Sequence, residues 1–170
     1  MDCSRIDKES KHMKEIKLTR GLSTFVDDGD AEYLSSFKWY ADRSGYARTN
    51  ISKADGSGRD TIRMHRMILG LEIGEEAIVD HIDLNRLNNQ RANLRICTRK
   101  ENARNRGNQA NNTSGLKGVS WHKSARKWCA QIKVSGKKKY LGVFATPELA
   151  HEAYRNAALE LHGAFANFGE

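Results

Sequence analysis

Short apolar stretches recur along this chain, separated by polar turns, and the spacing within each stretch names an element. Between Glu15 and Val26 the β-favouring Ile16, Leu18, Phe25 and Val26 flank Arg20-Gly21, which reads as a hairpin. Asp28-Gly29-Asp30 stands where a helix would be capped, and Leu34 and Phe37, three apart, share one side of a short helix over 31–37. Residues 39–52 read as strand, turn at Ser44-Gly45, strand. Asp55-Gly56-Ser57-Gly58 makes a second turn, and 61–68 is apolar enough to be another ordered element. This pattern predicts a small antiparallel sheet that supports whatever follows it.

Residues 77–79 then lead in as a strand, a polar loop follows, and Leu94-Arg95-Ile96-Cys97 returns as a second strand. Thr98 with Glu101 three residues later is the capping-box pattern, which predicts a helix start. In 127–134, Trp128, Ala130, Ile132 and Val134 alternate with Lys127, Cys129, Gln131 and Lys133, the signature of a half-buried strand. Ser135-Gly136-Lys137 turns the chain into a further strand over 138–144. Thr146 caps a helix with Pro147 at its first position. Along it Leu149, Ala150, Ala153, Tyr154, Ala157, Ala158 and Leu161 form one apolar stripe that predicts packing on the sheet.

Charge sharpens the picture at one place. The net charge is +8, but residues 102–147 carry ten Lys or Arg and no Asp or Glu. Such a block favours a polyanion, with a merely soluble face as the bland alternative. The three cysteines, at 3, 97 and 129, form no Cys-x-x-Cys pair, which argues against a disulfide framework or a zinc knuckle and fits a reduced, cytoplasmic setting. The first residues, MDCSRIDKESKHMKEIKL, carry charges throughout and no apolar signal segment, and no stretch is long and apolar enough for a membrane helix. Membrane partners are therefore not expected.

The candidate chemistry lies in 79–105, VDHIDLNRLNNQRANLRICTRKENARN. Asp80 is a hard oxygen donor suited to Mg²⁺. His81 beside it can accept a proton near neutrality. Asn102, early in the predicted helix, offers an amide oxygen, and Asn93 can bond across the loop and fix its shape. Phosphodiester hydrolysis needs such parts, a base for water and a cation for the charge on phosphate. The bland alternatives stand beside this. An Asp-His pair is often a surface pair or a cap, Asn102 can simply face solvent, and Asn85, Asn88 and Asn89 are common turn formers.

Residues 65–105 resemble the phage and intron-encoded HNH endonucleases, through MHRMILG, VDHIDLNRLNNQRANLR and CTRKENARN. The resemblance implies a ββα-metal unit. It makes Asp80 a metal ligand, His81 the general base, Asn93 the loop brace and Asn102 the second ligand, where other HNH proteins carry their last His. Two oxygen ligands imply one Mg²⁺ or Mn²⁺ per site, not zinc. His65 falls to packing and Arg66 to phosphate contact. The C-terminal third resembles a second family, the AP2-type DNA-binding domain, through LKGVSW, RKWCAQIKV, KYLGVFATPELAHEAYRNAALELHG and AFANF. In that family the open face of a three-stranded sheet enters the major groove. The matched positions are Lys117, Ser120, His122, Gln131, Lys133, Lys138 and Tyr140, with Ser120 and Gln131 departing from the family's usual residues and the His122 match approximate.

The expected architecture is α+β. It comprises a flexible N-terminus (1–14), a β-rich supporting region (15–64), the HNH unit (65–106), a Gly/Asn/Ser linker (107–115) and an AP2-like sheet packed on one helix (116–170). The expected activity is metal-dependent, sequence-directed cleavage of double-stranded DNA in a bacterial or phage-infected cell. One site per chain, with no dimerising helix in the pattern, favours a monomer that nicks one strand, with double-strand cleavage through a dimer face on the N-terminal sheet as the live alternative. A DNA-binding regulator with a non-catalytic HNH unit is the alternative from another class, and an RNA-acting nuclease is a third reading that fits a major-groove sheet reader less well.

Overall fold

The computed structural model describes residues 13–169 and shows a mixed α+β chain in two compact units, one ending at Arg95 and the other beginning at Ile96. The division falls inside the 65–106 segment, ahead of the linker expected at 107–115. Most of the expected flexible terminus, residues 1–12, lies outside the described residues.

In the first unit β1 (Met13–Lys17) and β2 (Ser23–Asp27) pair antiparallel from Met13↔Asp27 to Lys17↔Ser23. The chain reverses through Arg20 and Gly21, both at positive φ. Helix α1 (Asp28–Ser35) starts at the Asp-Gly-Asp segment expected only to cap it, with Asp27 at the N-cap. Acidic residues in a first turn complement the helix dipole, so Asp28 and Asp30 belong inside it. Strands β3 (Tyr40–Ala41), β4 (Ala47–Ser52) and β5 (Arg59–Arg63) form an antiparallel meander, and helix α2 (Met64–Ile68) follows directly. β6 (Ile78–His81) pairs with β7 (Leu94–Cys97), whose first two residues belong to this unit.

Val26, Leu34, Trp39, Ala47, Met64 and Leu94 gather in the core of this unit. Trp39 is 1% exposed, and its indole N–H donates to the Leu34 carbonyl at 2.7 Å, so the ring is buried without an orphaned donor. The loop between β6 and β7 is stitched to β2. Phe25 N–H donates to Leu87 O at 2.9 Å and Asn89 N–H donates to Phe25 O at 2.7 Å. Asp27 accepts from Arg91 N–H at 2.8 Å, and the Arg91 guanidinium forks onto Asp30 at 2.7 and 2.8 Å.

In the second unit α3 (Arg99–Arg104) opens with the complete Thr98–Glu101 capping box. β8 (Val119–His122), β9 (Lys127–Val134) and β10 (Lys137–Phe144) form an antiparallel sheet with β9 central. The β9–β10 turn is Ser135-Gly136, both at positive φ, the two-residue hairpin form whose twist matches the strands. Helix α4 (Pro147–His162), capped by Thr146, lies on the sheet with Ala150, Tyr154, Ala157 and Ala158 buried. Leu149, expected in that stripe, is 48% exposed, and His151 and His162 are buried in the helix instead. Each buried histidine has a polar reason to be there. His151 Nδ1–H donates to Lys117 O at 3.0 Å and His162 Nε2–H to Lys133 O at 3.2 Å.

The segment expected to be a linker is tightly organised. Asn112 Oδ1 accepts from Ser114 and Gly115 N–H, Ser114 Oγ reaches Val119 O, and Asn108 Nδ2 bonds Gly115 O and Gly169 O. Composition alone suggested a flexible tether, but Asn and Ser side chains here replace the backbone partners that a loop lacks.

Candidate active site

β6 ends in Asp80 and His81, each 4% exposed. Adjacent strand residues point to opposite sides, so the two meet different neighbours. Asp80 Oδ2 accepts from Arg95 Nε at 2.9 Å and Nη2 at 2.6 Å, a fork that fixes the carboxylate's orientation. The carboxylate is a donor of the type that hard divalent cations prefer, and so fits Mg²⁺ or Mn²⁺. Among the described residues no group of three or more His, Cys, Asp or Glu side chains stands together as a metal cluster.

His81 lies among aromatic rings. Its centroid is 5.1 Å from that of His65 and 5.7 Å from that of Tyr46, and Tyr46 and His65 are themselves 5.1 Å apart. Burial pushes the His81 pKa down, against the opposing pull of its bond to Asn89 and of the Asp83 and Asp80 charges. His65, also buried, is lowered to about 3 by desolvation and then by the neighbouring His81, Arg63 and Arg66 charges. Both rings are thus neutral at neutral pH, and no imidazolium beside His81 discourages it from taking a proton.

A chain of hydrogen bonds says which nitrogen of His81 would take it. The Leu87 carbonyl can only accept, so Thr24 Oγ1 donates to it at 2.7 Å. The lone pairs of Thr24 Oγ1 then accept from Asn89 Nδ2 at 2.7 Å, and the same amide nitrogen faces Arg86 O at 3.5 Å. That orients Asn89 Oδ1 toward His81 Nε2, 3.3 Å away. An amide oxygen can only accept, so Nε2 carries the proton and Nδ1 holds the basic lone pair of the neutral ring. Asn89 read as a turn former in the sequence and Thr24 not at all. No local pattern links two residues 65 positions apart.

Asn93 spans the loop. Its Oδ1 accepts from Asp83 N–H at 3.0 Å, and its Nδ2 donates to Asp83 Oδ1 and Asn88 O, each at 2.8 Å. Its own carbonyl accepts from Ile82 N–H at 2.9 Å, closing the strand ends. Arg66, expected to meet phosphate, is committed elsewhere. Its guanidinium donates to the carbonyls of Ala77, Glu72 and Glu75 at 2.7, 3.0 and 2.8 Å and so braces the segment leading into β6. Asp80, His81 and Asn93 therefore share the first unit. Asn102 belongs to the second, exposed on α3 with its N–H bonded to Thr98 O.

Strand register in the second unit gathers most of the expected DNA-reading positions. Residues paired across an antiparallel ladder lie on one side of the sheet. The pairs Lys133↔Lys138, Gln131↔Tyr140, Ser120↔Cys129 and His122↔Lys127 thus put Ser120, His122, Gln131, Lys133, Lys138 and Tyr140 on a common face. Tyr140 there is 61% exposed. Lys117 is the exception. Its Nζ donates to Asn167 Oδ1 at 3.0 Å, Arg104 O at 3.3 Å and Arg106 O at 2.5 Å, and burial lowers its pKa to about 8. An ammonium bonded in this way ties α3 to the C-terminal segment; it is not held out toward a phosphate.

Comparison with known proteins places these features. A family model described as HNH endonuclease matches residues 63–104. The uncharacterized HNH endonuclease L560 of Acanthamoeba polyphaga mimivirus is 31% identical over 151 residues, 86% of this chain and 74% of that protein. The ethylene-responsive transcription factor ERF069 of Arabidopsis thaliana is 33% identical over 103 residues, 59% of this chain and 65% of that protein. A solved structure concerned with DNA binding and cleavage by the HNH homing endonuclease I-HmuI covers 89% of this chain and 91% of its own, at 21% identity and a TM-score of 0.37, too loose a superposition to carry weight.

Proposed function

This chain belongs to the HNH endonuclease family, and from that premise we propose that it cleaves double-stranded DNA with His81 as the base that activates water. The observation that carries this reading is the neutral, buried His81, whose Nε2 proton is held by Asn89 so that Nδ1 is left basic. In the reaction, water oxygen bonds to phosphorus while its proton passes to Nδ1 of His81. The bond from phosphorus to one ester oxygen breaks, and that oxygen takes up a proton. Asp80, held by Arg95, is the carboxylate that would hold a Mg²⁺ or Mn²⁺ ion, with Asn102 as the motif's second oxygen donor. The ion would supply the positive charge that the phosphorane and its leaving oxygen need. Asn93 keeps the loop closed beneath the base.

The open sheet face of the second unit, with Lys133, Lys138 and Tyr140, is the natural docking surface for the duplex backbone, and Ser120, His122 and Gln131 are the side chains placed to sample base edges. Asp-His occurs once in the sequence, and one base serves one phosphate at a time, so the chain acts as a monomer that nicks a preferred strand. The test is cleavage of a supercoiled DNA pool with each strand labelled separately. We expect nicking with Mg²⁺ or Mn²⁺, none with excess EDTA, and none for His81→Ala, which should still bind DNA. Cleavage that persists in excess EDTA, or an H81A chain that loses binding and cleavage in parallel, would refute the role given to His81 and the ion.

A further inference from the structure

Helix α3 carries Asn102, yet little within α3 accounts for how that helix is held. It has six residues, fewer than an isolated helix needs, and none of them is buried. The Thr98–Glu101 capping box secures its first turn. The last turn of a helix leaves carbonyl oxygens without partners inside it. For α3 those partners come from outside the segment that carries the motif.

Lys117 Nζ donates to Arg104 O at 3.3 Å and to Arg106 O just past the helix. Its third donor goes to Asn167 Oδ1 at 3.0 Å, so an ammonium with three protons meets three acceptors and has none left for a phosphate. Asn167 then returns to the same helix end. Its Nδ2 donates at 3.1 Å to Oδ1 of Asn105, the C-cap residue of α3, which is 2% exposed. Both anchoring residues are themselves fixed. Asn167 Oδ1 accepts from Gly169 N–H at 2.9 Å, and its carbonyl accepts from the Tyr154 hydroxyl at 3.3 Å. The Lys117 carbonyl accepts from His151 of α4 at 3.0 Å. A Cβ added at Gly169 would stand 2.8 Å from Lys117 Cβ and 2.6 Å from Asn108 Oδ1, so the C-terminal segment packs closely on the lysine stem.

We propose that Lys117 and Asn167 are positioning residues for Asn102: by anchoring the end of α3, the sheet–helix module governs how firmly that amide oxygen is presented to the metal ion. This rests on the reading of Asn102 as a metal donor. The motif segment 65–106 contains the helix but neither residue that ties down its end. The C-terminal module thereby gains a part in metal binding, besides the DNA docking proposed for its sheet.

The test uses the full chain carrying His81→Ala, saturated with a DNA duplex, and measures Mn²⁺ binding by electron paramagnetic resonance of the free ion. Lys117→Met and Asn167→Ala should each weaken Mn²⁺ binding by about tenfold, the lower end of what loss of a supporting residue costs a metal site. Neither should add to the loss caused by Asn102→Ala, because both act through that residue. In the chain without DNA or metal, the amide protons of Asn102 and Asn105, bonded to Thr98 O and Glu101 O, should exchange about tenfold faster in both variants, with those of β9 unchanged. With His81 restored, excess Mn²⁺ should return each variant's cleavage rate to that of the parent, which a collapsed module would not allow. Circular dichroism melts verify the fold, and Asn167→Ala decides alone if Lys117→Met does not fold. Unchanged Mn²⁺ affinity or unchanged α3 exchange in the folded variants, or a loss that adds to that of N102A, would overturn the proposal while leaving metal-dependent nicking by the parent intact. A parent chain that neither binds Mn²⁺ nor cuts DNA would refute the endonuclease reading, and the metal role of α3 with it.

Discussion

Acidification should destabilise the first unit through His65, and the amount can be worked from its surroundings. The ring is 5% exposed, packed against Tyr46 and His81, with Arg63 and Arg66 adding repulsion to its charged form and Asp42 opposing them. Its pKa falls from 6.5 in an exposed histidine to about 3 in the folded chain. The unfolded chain therefore binds the proton first. The stability contributed by the neutral ring is fully present above 6.5 and is lost as pH falls from there toward 3. Each pH unit within that window is worth about 1.4 kcal/mol, so moving from about pH 7.5 to about pH 5 removes about 2 kcal/mol, a factor of about 30 in the unfolding equilibrium. His81, lowered in the same direction, adds to the loss. Urea unfolding followed by Trp39 fluorescence measures it, with Trp121→Phe and Trp128→Phe in the background so that only the first unit reports. His65→Phe keeps a ring in the same packing but cannot titrate, and it should remove most of the acid sensitivity. If H65F loses as much stability as its parent over that range, the reasoning from burial is wrong.

Two further outcomes probe the second unit. Lys133→Ala and Lys138→Ala should each weaken DNA binding and lower its salt slope by about one, measured by fluorescence anisotropy; slopes unaltered in both would move the contact off that face. Gly118→Ala should destabilise the sheet-helix module by about 3 kcal/mol, because a Cβ there would stand 2.0 Å from the Tyr154 ring at a φ of +77°. An unchanged melting temperature would mean that Tyr154 swings aside without penalty.

What could be read in advance was whatever the chain encodes locally. The Thr98–Glu101 box, the Thr146-Pro147 helix start and the alternation of 127–134 each depend on residues a few positions apart, and each predicts an element that is there. Other features depend on contacts that no local pattern encodes. Arg66 and Lys117 matched positions at which a family meets phosphate, but a long cation also satisfies carbonyls, and only the folded chain shows which oxygens are within reach. The stripe on α4 was drawn from hydropathy, which puts Leu149 inside and His151 and His162 outside. In the fold the two histidines gain carbonyl partners, while Leu149, in the first turn, is 48% exposed. The 107–115 segment looked like a tether because Asn and Ser are common in tethers, and nothing in composition announces that three of them will bond to the loop itself and the chain end.

The candidate site was legible in its members and illegible in its chemical state. Asp80, His81 and Asn93 stand together in a motif, but the motif says nothing of which His81 nitrogen is basic. That is decided by Thr24 on β2, by the Leu87 and Arg86 carbonyls and by Asn89, a set held in place because the β6–β7 loop runs alongside Phe25. The loop in turn keeps its register through Arg91 on Asp30 and Asp27. The β-rich first segment therefore takes part in the candidate site: Thr24 orients Asn89 toward His81 Nε2, and Tyr46 packs on both His65 and His81. The 65–106 segment carries the motif residues, but without β2 it would lack the Thr24 hydroxyl that orients Asn89 toward His81 Nε2, the contact that distinguishes the two nitrogens of the ring.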